Sequence, residues 1–310
     1  MQAVYLGIDV GAVSVSGALV DEELRVARTI YRRTLGRPAE AVAQALADLD
    51  QERDRDDPQT GRDDSRTARA DSGTSQADSR TSRWEIRGAG VTGSGRHLAA
   101  ELCGADVVKN EITAHYVGAR HAVPNVATII DIGGQDSKVI IVRDGVVVDF
   151  AMNTLCGAGT GSFLDQQAVR LGIPIEEFGK VALRSRNPVE IKGGCGIFAE
   201  REAIHYQQEG ARVEDIAAGL CRAVAQSFLR TVARGRELCE PIVFEGGVAA
   251  NAGVREALSG LLGARVVVPH SHEAVGAIGA AMLARERMAR AREATRFRRV
   301  SGAAPRAVGA

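Results

Sequence analysis

Apolar residues along this chain follow two rhythms. Alternation with a period of two marks "GIDVGAVSVSGALVDEELRVA" from Gly7 and "IDIGGQDSKVIIVRDGVVVD" from Ile130. Each stretch predicts a strand ending in Asp-x-Gly, a tight glycine turn and a returning strand, then a second turn near residues 21–23 or 143–145 and a third strand. Offset by 122 residues the two stretches superpose, Asp9 on Asp131 and Gly11 on Gly133, so one unit is present twice. Spacings of three and four predict helices in "PAEAVAQALADL", "GSGRHLAAELCG", "EITAHYVGARHA", "SFLDQQAVRLG", "FAEREAIHYQQEG" and "VEDIAAGLCRAVAQSFLRTVARGRE". Further strands are expected at "PIVFEGG" and "ARVVVP", and a closing helix over about 276–290. The sum is an α/β chain of two related halves, 1–124 and 125–290, with a flexible basic tail over 291–310.

Residues 51–83 fit neither rhythm. They hold no apolar residue larger than alanine and repeat the string DSRT at 64 and 78. Such a segment cannot bury enough surface to offset its ordering entropy, which predicts a disordered insertion in the first half. The rest is well supplied, since 310 residues at 45% apolar content give a sizeable core. Thirty-nine basic residues balance thirty-nine acidic ones, so charge gives no reason to expect a nucleic-acid or acidic-membrane partner. No apolar run approaches the ~20 residues of a membrane span, and the start lacks the flank and core of a signal peptide. A cytoplasmic location is the expectation. The five cysteines include no CxxC pair, and in a reducing compartment no disulfide framework is expected.

A glycine turn with free amides suits phosphate oxygens, and a nearby aspartate can hold the hydrated Mg²⁺ that accompanies them. One such loop could be an ordinary hairpin. Two copies, at Asp9-Val10-Gly11 and from Asp131 to Lys138, make a clamp over a polyphosphate the better reading. A third glycine site, "FEGGVAANAGVREAL", runs a strand into Gly246-Gly247 and then a helix, where a nucleoside could lie against bare backbone.

The strings "GIDVG", "IDIGGQDSK", "VFEGGVAANAGV" and "GAIGAAMLA" resemble the actin, Hsp70 and sugar-kinase superfamily, whose two ribonuclease-H-like halves enclose an ATP cleft. The resemblance implies that fold. It assigns Asp9 and Gly11 to the first phosphate loop, Asp131, Gly133, Gly134, Gln135, Asp136 and Lys138 to the second, and Gly246, Gly247 and Asn251 to the adenosine site, with the three aspartates as catalytic candidates. The chain departs from the pattern once. That superfamily's first loop usually continues to a lysine, and this chain has Ser16 there, which predicts slow ATP turnover.

Two cysteines have matching surroundings. Cys156 precedes "GAGTG" and the run "SFLDQQAVRL", and Cys195 sits in "GGCG" before "IFAEREAIHY", so each is expected to open a helix after glycine. There a thiol faces the positive end of a helix macrodipole, surroundings suited to an anionic ligand group. An iron–sulfur cluster usually takes four thiolates, which two chains about a twofold axis would supply. Zinc is open on ligand type alone. Cys103, Cys221 and Cys239 are expected to be small buried residues of helices or helix ends, and His270-Ser271-His272 a surface turn.

With "VTGSGRHLA", "NEITAHYVGA", "NTLCGAGTGSFLD" and "CGIFAEREAI" added, the chain resembles the activators of 2-hydroxyacyl-CoA dehydratases, grouped with the ATPase subunits of benzoyl-CoA reductases. The resemblance implies a [4Fe–4S] cluster held by Cys156 and Cys195 between the subunits of a homodimer, with ATP and Mg²⁺ in each cleft. A ferredoxin or flavodoxin would supply one electron, passed with ATP to a partner that handles the CoA thioester. Two rivals share the cleft. A small-molecule kinase would phosphorylate an acceptor, and an actin-like interaction module would switch partners; neither accounts for the cysteines.

Overall fold

The computed structural model describes residues 1–50, 83–153, 157–192, 194–291 and 293–299. In the first sheet β1 (Gln2–Val10), β2 (Ser14–Asp21), β3 (Val26–Arg33), β4 (Trp84–Thr92) and β5 (Val107–Val108) lie in the order β3-β2-β1-β4-β5. In the second, β6 (Thr128–Ile132), β7 (Ser137–Arg143), β8 (Val146–Asn153), β9 (Ile242–Glu245) and β10 (Val266–Val267) lie in the order β8-β7-β6-β9-β10. The repeat therefore extends beyond the three strands that alternation marks. In both sheets the fourth strand runs parallel to the first and the fifth parallel to the fourth. β4 escapes a period-two reading because residues 88–92 are buried on both faces, so its polar alternation is lost.

The helices are α1 (Pro38–Asp50), α2 (Arg96–Cys103), α3 (Glu111–Ala122), α4 (Gly161–Leu171), α5 (Ile175–Ala182), α6 (Gly196–Gln208), α7 (Val213–Thr231), α8 (Ala252–Leu262) and α9 (Val275–Arg290). None among the described residues is long and apolar enough to cross a membrane. α1 and α2 bury Val42, Leu49 and Ala99 against Leu6, Ile8 and Leu19 of the first sheet. Helices α4 to α8 cover one face of the second sheet, where Phe163, Phe178 and Phe228 meet Ile130, Ile132 and Phe244.

The two remaining faces are covered by exchange. α9, late in the sequence, lies on the first sheet, its Ala277, Ile278 and Ala281 against Tyr5, Ala18 and Val20. α3, from the first stretch of sequence, lies on the second sheet, its Ala119 against Ile129, Ile140 and Val243. The helices also cross each other at glycines: a methyl built on Gly279 would stand 1.9 Å from the Ala114 carbonyl oxygen, and one on Gly118 2.1 Å from that of Val275. A boundary at 124 thus divides the sequence but not the packing.

Residues 293–299 differ from the flexible tail expected over 291–310, of which 292 and 300–310 lie outside the described residues. Thr295 Oγ1 and the Arg296 N–H donate to the Asp106 carboxylate at 2.6 and 2.7 Å, and Phe297 packs against the first core. The Arg298 N–H donates to the Cys103 carbonyl at 2.8 Å. Of the insertion expected over 51–83, residues 51–82 lie outside the described residues.

Candidate functional site

Strand register sets two matching rows at the ends of the central strands. In the first sheet Thr92, Asp9, Ser16 and Tyr31 are cross-strand neighbours; in the second, Glu245, Asp131, Lys138 and Met152 take the same places. The turns match as well, with the Gly11 N–H donating to Ser14 O at 2.9 Å and the Gly133 N–H to Asp136 O at 3.0 Å. Behind each aspartate stands a glycine at φ 87°, Gly93 or Gly246. A methyl there would strike Asp9 Oδ1 at 2.4 Å or Asp131 Oδ1 at 2.3 Å, so backbone conformation and carboxylate together demand glycine.

The rows meet through side chains from α3. His115 directs Nδ1 to Glu245 Oε1 at 2.7 Å, and its Nε2 lies 3.6 Å from Asp9 Oδ2 and 3.8 Å from Asp131 Oδ2. Lys138 Nζ stands 2.7 Å from Asp131, 3.1 Å from Glu111 and 3.2 Å from Asp136. Burial alone would lower the His115 imidazole, but the Asp131 and Glu245 carboxylates raise it to about 10. Burial raises Asp9 and Asp136 above the ordinary carboxylate range, whereas Lys138 and His115 overcome burial at Asp131 and lower it. Five carboxylates thus surround two cations. The buried Glu245 Oε2 has no partner among the described residues. No His, Cys, Asp and Glu grouping among the described residues forms a protein-only metal cage.

Every expected phosphate-loop residue, with Gly246 and Gly247, borders the cleft between the halves. Asn251 does not. Its Oδ1 accepts the Val254 N–H at 3.1 Å and caps α8, with the Cys221 thiol 3.6 Å away. Glu111, His115, Glu245 and Tyr31 border the cleft or its floor without having been singled out. A signal existed for two of them: Glu111 and His115 are four apart and share one face of α3. His272 is more than a surface turn, since its carbonyl accepts the Gly246 N–H at 2.9 Å and it borders the cleft.

Cys195 directly precedes α6 as its N-cap, half-buried, between Gly194 and Gly196. Cys156 lies outside the described residues. The segment after it makes a 3-10 turn, Gly157–Gly159, before Thr160 caps α4, so the expected helix begins five residues later than Cys156. The turn after residue 156 and the start of α6 nonetheless adjoin. A methyl built on Gly196 would lie 3.5 Å from Phe163 and 3.7 Å from Ala158, and Arg170 pairs with Glu200 at 2.6 Å between α4 and α6. The first turn of α4 is also tied to the second phosphate loop: the Gly161 N–H donates to Gly133 O at 2.9 Å and the Ser162 N–H to Gly134 O at 2.8 Å. Burial pushes the thiols of Cys103 and Cys221 up to about 11 and about 12, as fits inert core residues. Cys239 departs from expectation; it is half-buried in the connection before β9, where Arg143 donates to its sulfur at 3.3 Å.

The model of the BadF/BadG/BcrA/BcrD ATPase family matches residues 6–284. The (R)-2-hydroxyglutaryl-CoA dehydratase activating ATPase of Acidaminococcus fermentans is 39% identical over 199 residues, 64% of this chain and 75% of the relative. The 2-hydroxyisocaproyl-CoA dehydratase activator of Clostridioides difficile is 37% identical over 203 residues, 65% and 75% of the two chains. Among solved structures, component A of the A. fermentans dehydratase aligns with a TM-score of 0.76 at 30% identity, over 93% of this chain and 100% of its own. The Clostridium difficile activator with bound ADPNP aligns at 0.74 and 28% identity, over 93% and 96%. The duplicated sheets, the paired phosphate loops and these likenesses together give the actin-like fold of two ribonuclease-H-like halves about a nucleotide cleft, and the chain belongs to the BadF/BadG/BcrA/BcrD ATPase family, with the activators of 2-hydroxyacyl-CoA dehydratases.

Proposed function

We propose that this protein is an ATP-driven, one-electron activator of a 2-hydroxyacyl-CoA dehydratase or a related CoA-thioester reductase, acting as a homodimer. One observation carries the reading: α4, which follows the Cys156 loop and touches the Cys195 helix, is hydrogen-bonded through Gly161 and Ser162 to the phosphate loop at Gly133 and Gly134. A phosphate group that shifts this loop therefore moves the cysteine region without an intermediary.

Within the cleft the Gly11 and Gly133 N–H groups close their turns, and the other backbone amides of those turns would face phosphate oxygens. Asp9, Asp131 and Asp136 would hold Mg²⁺ that enters with the nucleotide, and the ion would offset the charge of the phosphates. Asp9 and Asp136, raised by burial, are suited to take a proton from an attacking water, while Asp131, held low by Lys138 and His115, stays anionic. The thiol chemistry fits a cluster. Cys195 has glycine on both sides at a helix start; with Cys156, which precedes Gly157, each chain offers two thiols, and two chains would offer the four that a cluster requires. Cys156 and Cys195 of two copies would hold a [4Fe–4S] cluster, which supplies storage for one low-potential electron. Ile197 and Phe198, next along from Cys195, are 69% and 62% exposed, an apolar surface that a second copy would cover. A ferredoxin or flavodoxin is the reductant of this scheme, and the acyl-CoA chemistry belongs to the partner enzyme.

Native mass spectrometry of protein purified under strict anoxia tests the proposal, with Cys156→Ala and Cys195→Ala as comparisons. The expected species is a dimer carrying one four-iron, four-sulfide mass, absent from both variants. A cluster-free monomer from protein that never met oxygen would overturn it.

A further inference from the structure

The two rows of the cleft are unequal in one place. Beside Asp131 stands Lys138, whose ammonium is already shared among Asp131, Glu111 and Asp136. Beside Asp9 stands Ser16, 5% exposed, whose short side chain carries no charge. One strand further out the order reverses: the second row has Met152, with no donor, and the first has Tyr31. Tyr31 borders the cleft, and its hydroxyl crosses to the other half. A methyl built on Gly247 would stand 3.2 Å from Tyr31 Oη and 4.0 Å from Cζ, so the phenol occupies the space above the glycine site. Ser14, from the first phosphate turn, is its hydroxyl neighbour. Desolvation raises the phenol above its ordinary value, so at neutral pH it keeps the proton it would donate.

We infer that Tyr31 is a phosphate-binding residue of this cleft, donating its hydroxyl hydrogen to the polyphosphate of a nucleoside triphosphate laid along Gly246–Gly247, in compensation for the cation missing at Ser16. The inference rests on the reading of the cleft as a nucleotide site. Its chemistry follows from the charge already present. A polyphosphate entering beside five carboxylates needs donors, Lys138 is committed to three of those carboxylates, and a neutral hydroxyl adds a donor without disturbing that pairing. The hydroxyl stands between Ser14 of one half and Gly247 of the other, so the contact would join the two halves.

The test compares wild type with Tyr31→Phe by calorimetric titration of the full chain with Mg·ADPNP and, separately, with adenosine, which has no phosphate. A hydroxyl donated to a charged oxygen is worth about tenfold or more in affinity, so the variant is expected to bind Mg·ADPNP at least about tenfold more weakly and adenosine as wild type does. Unchanged Mg·ADPNP affinity in a folded variant would overturn the inference. Equal loss of both ligands would overturn it too, making the ring a wall of the nucleoside pocket. Wild type that binds neither ligand would remove the nucleotide reading itself, and the inference with it.

Discussion

His115 is one imidazole surrounded by Asp9, Asp131 and Glu245, and its charge is a property of those neighbours rather than of the residue. Its value in the folded protein, about 10, exceeds the roughly 6.5 of an unfolded chain. The stability it contributes is therefore complete below about pH 6.5 and lost as pH rises toward 10. Glu245, raised by burial to about 7, loses its own contribution by that pH, so the alkaline part of the decline belongs to the histidine. Urea unfolding midpoints should fall between pH 7 and 10 in wild type and stay flatter in His115→Gln; equal slopes would refute the assignment. The aspartates were legible in sequence because Asp-x-Gly recurs with its turn. For His115 spacing offered only its place four residues from Glu111 on α3; its charge was not legible, because Glu245 is 130 positions away.

At the scale of elements, α3 and α9 cross so closely that glycine is obligatory. Gly279→Ala would place a methyl on the Ala114 carbonyl, and overpacking against backbone should cost at least about 2 kcal/mol in denaturant titration. Gly260 in α8 supplies the contrast. A methyl there meets nothing within 4 Å, so Gly260→Ala is expected to stabilise by about 0.5–1 kcal/mol through helix propensity. Similar effects at both sites would remove the packing argument. Most helices were readable from period and composition, since their buried faces recur every three or four residues. α5 was not: "IEEFGKVA" is eight residues long, as α2 is, but it carries Gly179 inside it, a residue of low helix propensity.

At the scale of the whole molecule, the repeat announced two halves but not how they are tied. One tie lies on the surface: Arg33 at the end of β3 makes a two-pronged pair with Asp165 of α4, at 2.8 and 3.0 Å. Both groups are partly exposed, so a double-mutant cycle of Arg33→Ala and Asp165→Ala should return a coupling of about 0.2–1 kcal/mol that shrinks with added salt. A coupling that does not change with salt would point to packing instead. The exchange of α3 and α9 between the halves was illegible for a different reason, since an apolar stripe says that a helix must be covered and not which sheet will cover it. Its consequence reaches the chain's modularity. Each sheet borrows one wall from the other side of residue 124, so a gene split there would encode two fragments that are insoluble apart and complement each other only when made together.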